Sequence, residues 1–203
     1  NCADMAFGPE DVDERFIADC VALHITGTHF STPRVRAGSL LALEYARRHD
    51  TRTILDIDYR PVLWGLTTPG DGATRYIPSP AVTQQLQEIL PYFDLIVGTE
   101  EEFRIAGGVP DLMAALSAVR RLTPATLVIK LGPLGCAVID GAVPSSIEQA
   151  FSVPSPRVEV LNVLGAGDAF LAGFLSGWLR GADYAICCQR GNASGALVVS
   201  RHA

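Results

Sequence analysis

The chain has 203 residues, of which 48% are hydrophobic and 19% are charged, and its formal net charge is −6. This composition predicts one globular domain with a sizeable core, and it argues against a nucleic-acid surface because no Lys/Arg cluster offsets the negative charge. No stretch has the length of a membrane span and no signal peptide is recognisable, so we expect a cytoplasmic protein that does not bind membranes.

The cysteines show no spacing typical of metal ligands. They are Cys2, Cys20, Cys136, Cys187 and Cys188. Their odd number and apolar neighbours favour reduced thiols in a core. The chain opens at Asn1 and ends abruptly at Ala203, and we therefore expect a fragment of a longer protein.

Short apolar runs alternate with helical patterns along the chain. We predict strands at residues 21–25, 53–58, 94–97, 127–131, 136–139 and 158–161. We predict helices that start at Pro33 and at Glu100, and further helices at 79–90, 112–122, 168–180 and 184–199. The helix from Pro33 has an apolar stripe that includes Leu40, Leu41, Leu43 and Tyr45. This alternation predicts a doubly wound, mostly parallel α/β sheet, whose ligands bind at the carboxyl ends of the strands.

Two connections in this pattern stand out. The Pro- and Gly-rich stretch from 59 to 80 is long for a plain connection, and long loops in compact domains are often functional. The runs 127–131 and 136–139 are predicted to pair with each other through the link Gly132-Pro133-Leu134-Gly135. Asp140-Gly141 is a further turn signal.

A glycine loop, residues 162–168 with the sequence Asn-Val-Leu-Gly-Ala-Gly-Asp, leads from the predicted strand 158–161 into an apolar helix. Small residues let a ligand approach the backbone, and the N–H groups of a helix's first turn can hold an anion. Asp168 would suit a base that takes a proton from an alcohol during phosphoryl transfer. The alternative is a first-turn acid favoured by the helix dipole.

Other polar or small residues also follow predicted strands. Asp58 ends the second predicted strand and Arg60 follows it, Glu102 follows the third, and Gly132 and Gly135 follow the fourth. A guanidinium can hold a phosphate or carboxylate, and an acid can hold Mg²⁺ through water. Each has a structural alternative, as a loop salt bridge, a solvated acid or a turn, but together they indicate a phosphoryl-transfer site.

This set resembles the ribokinase-like carbohydrate kinases of the PfkB family, whose second signature, Asp-Thr-x-Gly-Ala-Gly-Asp, is matched by residues 162–168. The resemblance implies that the amides of Gly165, Ala166 and Gly167 form the anion hole for the transferred phosphoryl group, and that Asp168 is the base. It also implies that Glu102 serves Mg²⁺ and its waters, since residues 99–102 correspond to the family's Asn-x-x-Glu element.

The same resemblance implies an ATP site. Residues 130–135 look like the family's nucleotide-phosphate loop, which makes Lys130, Gly132 and Gly135 ATP-binding residues, and Asn192 falls where the family lines its adenine pocket. Residues 1–203 would then be a single, partial kinase domain without the family's first Gly-Gly signature and most of its sugar lid. The expected partners are a small sugar acid and ATP, with a homodimer left open.

Residues 55–64 resemble the Asp-x-Asn-x-Arg-x-x-Leu-Trp element of the fructokinase and ketodeoxygluconate kinase branch, with Asp58 in place of Asn. With residues 1–6, 162–164 and 198–202, this element implies a sugar-acid kinase of inositol catabolism. The expected reaction is ATP-dependent phosphorylation of the terminal hydroxyl of 5-dehydro-2-deoxygluconate, with Arg60 and Asp58 at the acceptor.

Two residues depart from the family pattern. Asn162 replaces an Asp that helps to hold a monovalent cation in many relatives, which leaves K⁺ activation open, and Thr99 replaces the Asn of the Mg²⁺ element. The alternatives are a kinase of 2-keto-3-deoxygluconate or fructose and, in a different class, a non-catalytic nucleotide-binding fragment. A dinucleotide-binding oxidoreductase is disfavoured because the glycine loop comes late and matches only part of that fingerprint.

Overall fold

The computed structural model describes residues 3–68 and 76–201, except for the side chain of Asp4. The chain divides into two compact units, Asn1–Thr126 and Leu127–Ala203. Three parts of the sequence interpretation lie outside the described residues: the motif positions 1–2, the segment 69–75 of the Pro- and Gly-rich stretch, and position 202.

The first unit alternates helices with parallel strands. Its elements are α1 (Glu14–Ala18), β1 (Ala22–Thr26), α2 (Pro33–Arg48), β2 (Arg52–Asp56), α3 (Pro80–Ile89), β3 (Leu95–Thr99), α4 (Glu100–Gly107) and α5 (Leu112–Arg120). Strand β2 lies between β1 and β3, with Thr26 opposite Asp56 and Asp56 opposite Val97. The carboxyl ends of these three strands therefore meet at one edge, as predicted.

Local sequence signals set the helix starts of this unit. The side chain of Asp111 accepts a hydrogen bond from the N–H of Ala114, and Pro33 and Pro80 occupy first-turn positions where a missing N–H costs nothing. Buried strand residues such as Ile54 and Leu95 form the core together with Phe103 of α4. In α2 the buried stripe differs from the prediction: it consists of Val35, Gly38, Ser39, Ala42, Leu43 and Ala46.

The second unit combines antiparallel strands with two helices. It contains β5 (Cys136–Ile139), β6 (Phe151–Val153), α6 (Ala166–Trp178) and α7 (Tyr184–Val199), while β4 (Thr126–Lys130) begins at the unit boundary. Strand β5 pairs with β4 and with β6, so that Lys130 lies opposite Cys136, and Cys136 lies opposite Val153. The predicted pairing of the two runs flanking Gly132–Leu134 is confirmed.

Helices α6 and α7 pack closely because glycines face the neighbouring helix. A Cβ on Gly173 would lie 2.5 Å from the carbonyl oxygen of Arg190 and from the hydroxyl of Ser194. Gly191 of α7 faces the ring of Phe170 in the same way. The predicted apolar helix after Asp168 is thus a buried core helix, and its partner α7 also contacts β5 and β6.

One predicted strand is wrong. Residues 158–161 form no strand, and the chain from 154 to 160 is irregular and largely exposed. The third strand of this unit is instead β6, a short segment that pairs with β5. The apolar residues Val158, Val160 and Leu161 resemble a strand in sequence, but all three are exposed.

Cys136, Cys187 and Cys188 are buried free thiols and Cys20 is a partly buried one, which agrees with the prediction of reduced core cysteines; Cys2 lies outside the described residues. Within residues 3–68 and 76–201, no helix is long and apolar enough to cross a bilayer.

Candidate functional site

The glycine loop forms a tight turn that opens α6. Gly165 is the N-cap of this helix and has φ +75, a left-handed conformation that glycine adopts without strain. The side chain of Asn162 accepts a hydrogen bond from the N–H of Leu164 at 2.9 Å, and the N–H of Ala169 donates to the carbonyl of Gly165. The first-turn N–H groups of Gly167 and Asp168 precede the helical ladder, as in any α-helix, and they suit an anion.

Asp168 lies in the first turn of α6, and its side chain is exposed. An exposed carboxylate remains reachable by a substrate hydroxyl. Its position also matches the ordinary preference of acids for helix N-termini, so both interpretations of Asp168 are compatible with the geometry.

Lys130 brings a positive charge to the glycine loop. It is the last residue of β4, and its Nζ lies 3.5 Å from the position that a Cβ on Gly167 would occupy. The ammonium group and the N-terminus of α6 therefore act in the same direction on an anion at this place. The sequence associated both residues with phosphate but gave no sign that they are neighbours.

The two glycines after β4 have different surroundings. Gly132 has φ +58 and open space where a side chain would be. Gly135 has φ +100, and a Cβ there would overlap the carbonyl oxygen of Val153 and lie 2.7 Å from the N atom of Ser155. Gly132 is thus free to face a ligand, whereas Gly135 is required for the close approach of the chain that leaves β6.

Asn192 lies in the middle of α7 and is 5% exposed. Its Nδ2 donates to the carbonyl oxygens of Val153 at 2.9 Å and Pro154 at 3.2 Å. Asn192 and Gly135 therefore contact the same short stretch of backbone.

In the first unit, Glu102 is held by backbone N–H groups. Its Oε2 accepts from the N–H of Thr99 at 2.6 Å, and its Oε1 accepts from the N–H of Tyr59 at 3.1 Å. The hydroxyl of Thr99 in turn accepts from the N–H of Glu102, which completes a capping box at the start of α4. The Thr in place of Asn thus serves as the helix cap.

Asp58 and Arg60 lie just beyond the end of β2, on either side of Tyr59. Asp58 has φ +35, and its carboxylate accepts from Nε of Arg60 at 2.9 Å. Because the N–H of Tyr59 donates to Glu102, the structure brings Asp58, Arg60 and Glu102 into one group. The Tyr59 hydroxyl donates to the carbonyl of Ile77, and burial raises its pKa above the usual value.

Among residues 3–68 and 76–201, no group of three or more His, Cys, Asp or Glu side chains could hold a metal ion. Mg²⁺ usually keeps several waters and binds through one or two carboxylates together with substrate phosphates. Glu102, whose two carboxylate oxygens are oriented by the N–H groups of Thr99 and Tyr59, is the acid of this group that could hold such a hydrated ion.

Sequence reasoning missed the main-chain groups that hold these residues. The N–H of Tyr59 orients Glu102, and the carbonyl of Val199 accepts from the N–H groups of Leu161 and Asn162 at the start of the glycine loop. Backbone groups occur in every residue, so no side-chain signal in the sequence identifies them.

A family model described as "pfkB family carbohydrate kinase" matches residues 70–203. Among curated proteins, the chain is 31% identical over 205 residues to a 5-dehydro-2-deoxygluconokinase of Photobacterium profundum and 28% identical over 204 residues to one of Bacillus subtilis. Each alignment covers 98% of this chain, but the chain spans only 56% and 57% of the length of these relatives.

Solved structures share the fold at lower identity. A putative ribokinase II from E. coli, solved in complex with ATP and Mg²⁺, is 21% identical and superimposes with a TM-score of 0.80, covering 98% of this chain and 58% of its own. An adenosine kinase from Sinorhizobium meliloti is 21% identical with a TM-score of 0.78, covering 96% and 54%. These likenesses confirm the predicted ribokinase-like α/β class.

Proposed function

Because the chain belongs to the pfkB family of carbohydrate kinases, we propose that this protein transfers a phosphoryl group from ATP to a hydroxyl of a sugar acid. The observation that carries the proposal is the start of α6, where the glycine loop, the Lys130 ammonium and Asp168 stand together. The chain spans just over half the length of its curated relatives, and the activity is therefore proposed for the whole protein.

The positive end of this arrangement would bind phosphate. The N–H groups of Gly165, Ala166 and Gly167 and the ammonium of Lys130 would hold the transferred phosphoryl group, with the backbone of Gly132 and Gly135 lining the nucleotide phosphates. The N–H of Ala166 donates to the carbonyl of Val163 at 3.3 Å in this structure and would exchange that acceptor for the phosphoryl group. Preorganised donors of this kind stabilise the charge of the transition state without having to reorganise during the reaction.

Asp168 would accept the proton of the acceptor hydroxyl. Phosphoryl transfer has a loose transition state, so a carboxylate of ordinary basicity suffices and positioning contributes most of the acceleration. Bound Mg²⁺ would neutralise charge on the nucleotide phosphates. Glu102 would hold it through water, since its oxygens are already oriented by the N–H groups of Thr99 and Tyr59.

The acceptor we propose is 5-dehydro-2-deoxygluconate, phosphorylated on its terminal hydroxyl, on the basis of the names of the curated relatives. An anionic sugar acid calls for a cationic contact. The exposed guanidinium of Arg60, oriented by Asp58, would supply it through paired hydrogen bonds.

We also propose that both compact units belong to one kinase domain, because single-chain neighbours cover 96–98% of this chain. The four free thiols among the described residues support a cytoplasmic location.

The test is ADP release by the full-length protein with ATP, Mg²⁺ and three acceptors: 5-dehydro-2-deoxygluconate, 2-keto-3-deoxygluconate and fructose. We expect turnover selective for the first acceptor. Turnover with another acceptor would retain the kinase and overturn the substrate. If ATP binds but no acceptor supports turnover, a non-catalytic nucleotide-binding role replaces the proposal.

A variant tests the base. We expect Asp168→Asn to abolish turnover while ATP affinity stays within about threefold, because removing a base used only in the transition state lowers kcat and leaves binding intact. Glu159→Gln, which changes an exposed acid just before the glycine loop, is the control and should retain wild-type kcat. An Asp168→Asn protein that keeps a tenth of the wild-type kcat would refute the assignment.

A further inference from the structure

The segment between β6 and the glycine loop is attached to α7 at both of its ends. At the first anchor, Nδ2 of Asn192 donates to the carbonyls of Val153 and Pro154 at 2.9 and 3.2 Å. At the second anchor, the carbonyl of Val199 accepts from the N–H groups of Leu161 and Asn162 at 2.8 and 3.2 Å. Between the anchors, the backbone from 155 to 160 belongs to no strand or helix.

The NH₂ group of Asn192 makes both hydrogen bonds of the first anchor. Carbonyl oxygens only accept, so the group that faces Val153 and Pro154 has to be the NH₂ of the side chain. Asn192 is 5% exposed, and a buried amide that has lost these acceptors would be left unsatisfied. The NH₂ group is thus directed at the protein's own backbone.

Helix α7 is in turn fixed against α6, the helix that the glycine loop opens. Gly173 of α6 lies so close to Arg190 and Ser194 of α7 that a Cβ would meet their oxygens at 2.5 Å. The chain that leaves β6 also lies directly against Gly135. Through α7, the two anchors therefore fix the start of the glycine loop relative to α6, the helix that carries Asp168.

We propose that Asn192 is a positioning residue for the phosphoryl transfer, which acts by holding the backbone at Val153 and Pro154 so that the glycine loop meets α6 in the right place. This inference rests on the proposed function. It differs from the role that family resemblance implies for Asn192, a place in the adenine pocket.

Steady-state kinetics of the full-length protein separate these two roles. Asn192→Asp is isosteric but removes the NH₂ donors, and we expect it to lower kcat at least tenfold at pH 8 while KM for ATP changes less than threefold. The matched control is Gln189→Glu, the same amide-to-acid change at an exposed position of α7, which should leave both constants unchanged. A raised KM for ATP with unchanged kcat would overturn the positioning role in favour of an adenine contact.

The pH profile of the Asn192→Asp protein provides a second readout. A protonated carboxyl can donate one hydrogen bond to the facing carbonyls, and burial favours the protonated form. We therefore expect the ratio of variant to wild-type kcat to rise as the pH is lowered from 8 to 6. A ratio that is constant over this range would contradict the donor role.

Amide hydrogen exchange tests the anchors independently of catalysis. If the wild-type protein turned over none of the acceptors, the proposed function would fail, but exchange at Leu161 and Asn162 would still decide the structural inference. We expect exchange there at least tenfold faster in Asn192→Asp than in Gln189→Glu, and equal rates would overturn it.

A second variant covers the case in which Asn192→Asp does not fold. Leu161→Pro removes one N–H from the second anchor at an exposed position. It should likewise lower kcat at least tenfold with little change in KM for ATP, and a wild-type kcat in this variant would count against positioning through the segment.

Discussion

At the scale of single residues, Gly135 is the position where a side chain is least tolerable in the second unit. Its φ of +100 is unfavourable for other residues, and a Cβ would overlap the carbonyl of Val153. We expect Gly135→Ala to lower the free energy of unfolding by at least about 3 kcal/mol, through strain and overpacking together. Urea unfolding of the purified variants measures this change.

Gly132→Ala is the control for that prediction. Gly132 also has a positive φ, +58, but nothing lies within 4 Å of its Cβ position. The left-handed conformation alone should cost about 1–2 kcal/mol. An equal decrease in the free energy of unfolding of the two variants would show that overlap with the chain leaving β6 does not add to the cost of a side chain at Gly135.

Glu102 is expected to stabilise the first unit in addition to any role with a metal. Glu102→Gln replaces one acceptor oxygen by an NH₂ that faces the N–H of Thr99 or Tyr59, and we expect a loss of about 1–3 kcal/mol. The control is Glu101→Gln, the same change at the exposed neighbouring position, which should alter the free energy of unfolding by less than about 0.5 kcal/mol. Thermal unfolding of both variants without metal or nucleotide is the measurement, and similar melting temperatures would argue against the capping role.

At this scale the sequence suggested candidate site residues but not the contacts between them. Lys130 and Gly167 were both associated with phosphate, but their proximity depends on the pairing of β4 with β5 and on the packing of α6. Glu102 was proposed from its place after β3, whereas its bond to the N–H of Tyr59 joins residues 43 positions apart. Contacts of that kind are set by tertiary structure and not by local pattern.

At the scale of elements, the packing of α6 on α7 depends on which glycines face the partner helix. A Cβ on Gly173 would meet the oxygens of Arg190 and Ser194 at 2.5 Å, whereas a Cβ on Gly195 would meet Ala166 at an ordinary 3.5 Å. We expect Gly173→Ala to destabilise the protein by about 1–3 kcal/mol. Gly195→Ala should be neutral or stabilising by up to about 1 kcal/mol, because alanine favours a helix more than glycine does.

Chemical denaturation of the two single variants decides this prediction. If Gly173→Ala were as stable as Gly195→Ala, the two helices would have room to move apart, and the close packing would not constrain α7.

Helices were easier to predict than strands. Helix α7 has the predicted bounds, and α3 lies within one residue of the predicted range 79–90 at each end, because caps, prolines and apolar periodicity are local signals. The segment 158–161 has strand-like residues but finds no pairing partner, while β6 is only three residues long and depends on β5 for its pairing. A strand is defined by its neighbour, which the sequence does not display.

At the scale of the whole molecule, we expect the protein to lose stability in alkaline solution, because two cysteine thiols and one tyrosine hydroxyl are buried in their protonated forms. Burial raises the pKa of Cys187 above its ordinary 9.0, and a thiol hydrogen bond with Cys136 together with burial raises that of Cys188. Burial likewise raises the pKa of Tyr59 above 10.0. These groups ionise more easily in the unfolded chain, so their contribution is complete below pH 9 and is lost as the pH rises toward the folded-state pKa values.

The measurement is urea unfolding under reducing conditions between pH 7.5 and 10.5. We expect the free energy of unfolding to fall across this range, and to fall less steeply in Cys188→Ala, whatever the stability of that variant at pH 7.5. An identical slope in the two proteins would contradict the contribution of the buried thiol.

The α/β class was predictable because alternation of short apolar runs with helices is a property of the entire chain. The division into two compact units was not, since it reflects the distribution of contacts and has no composition signal at residues 126–127.

The attachment of the segment 154–161 to α7 at both ends has a consequence for protein engineering. A loop whose ends are fixed changes its closure entropy only slowly with length, so added residues in its exposed middle cost little. A short peptide tag or a protease cleavage sequence placed between Arg157 and Val158 would leave both ends of the segment attached. This exposed stretch is therefore the place in the second unit where foreign sequence can be introduced while the glycine loop keeps its position.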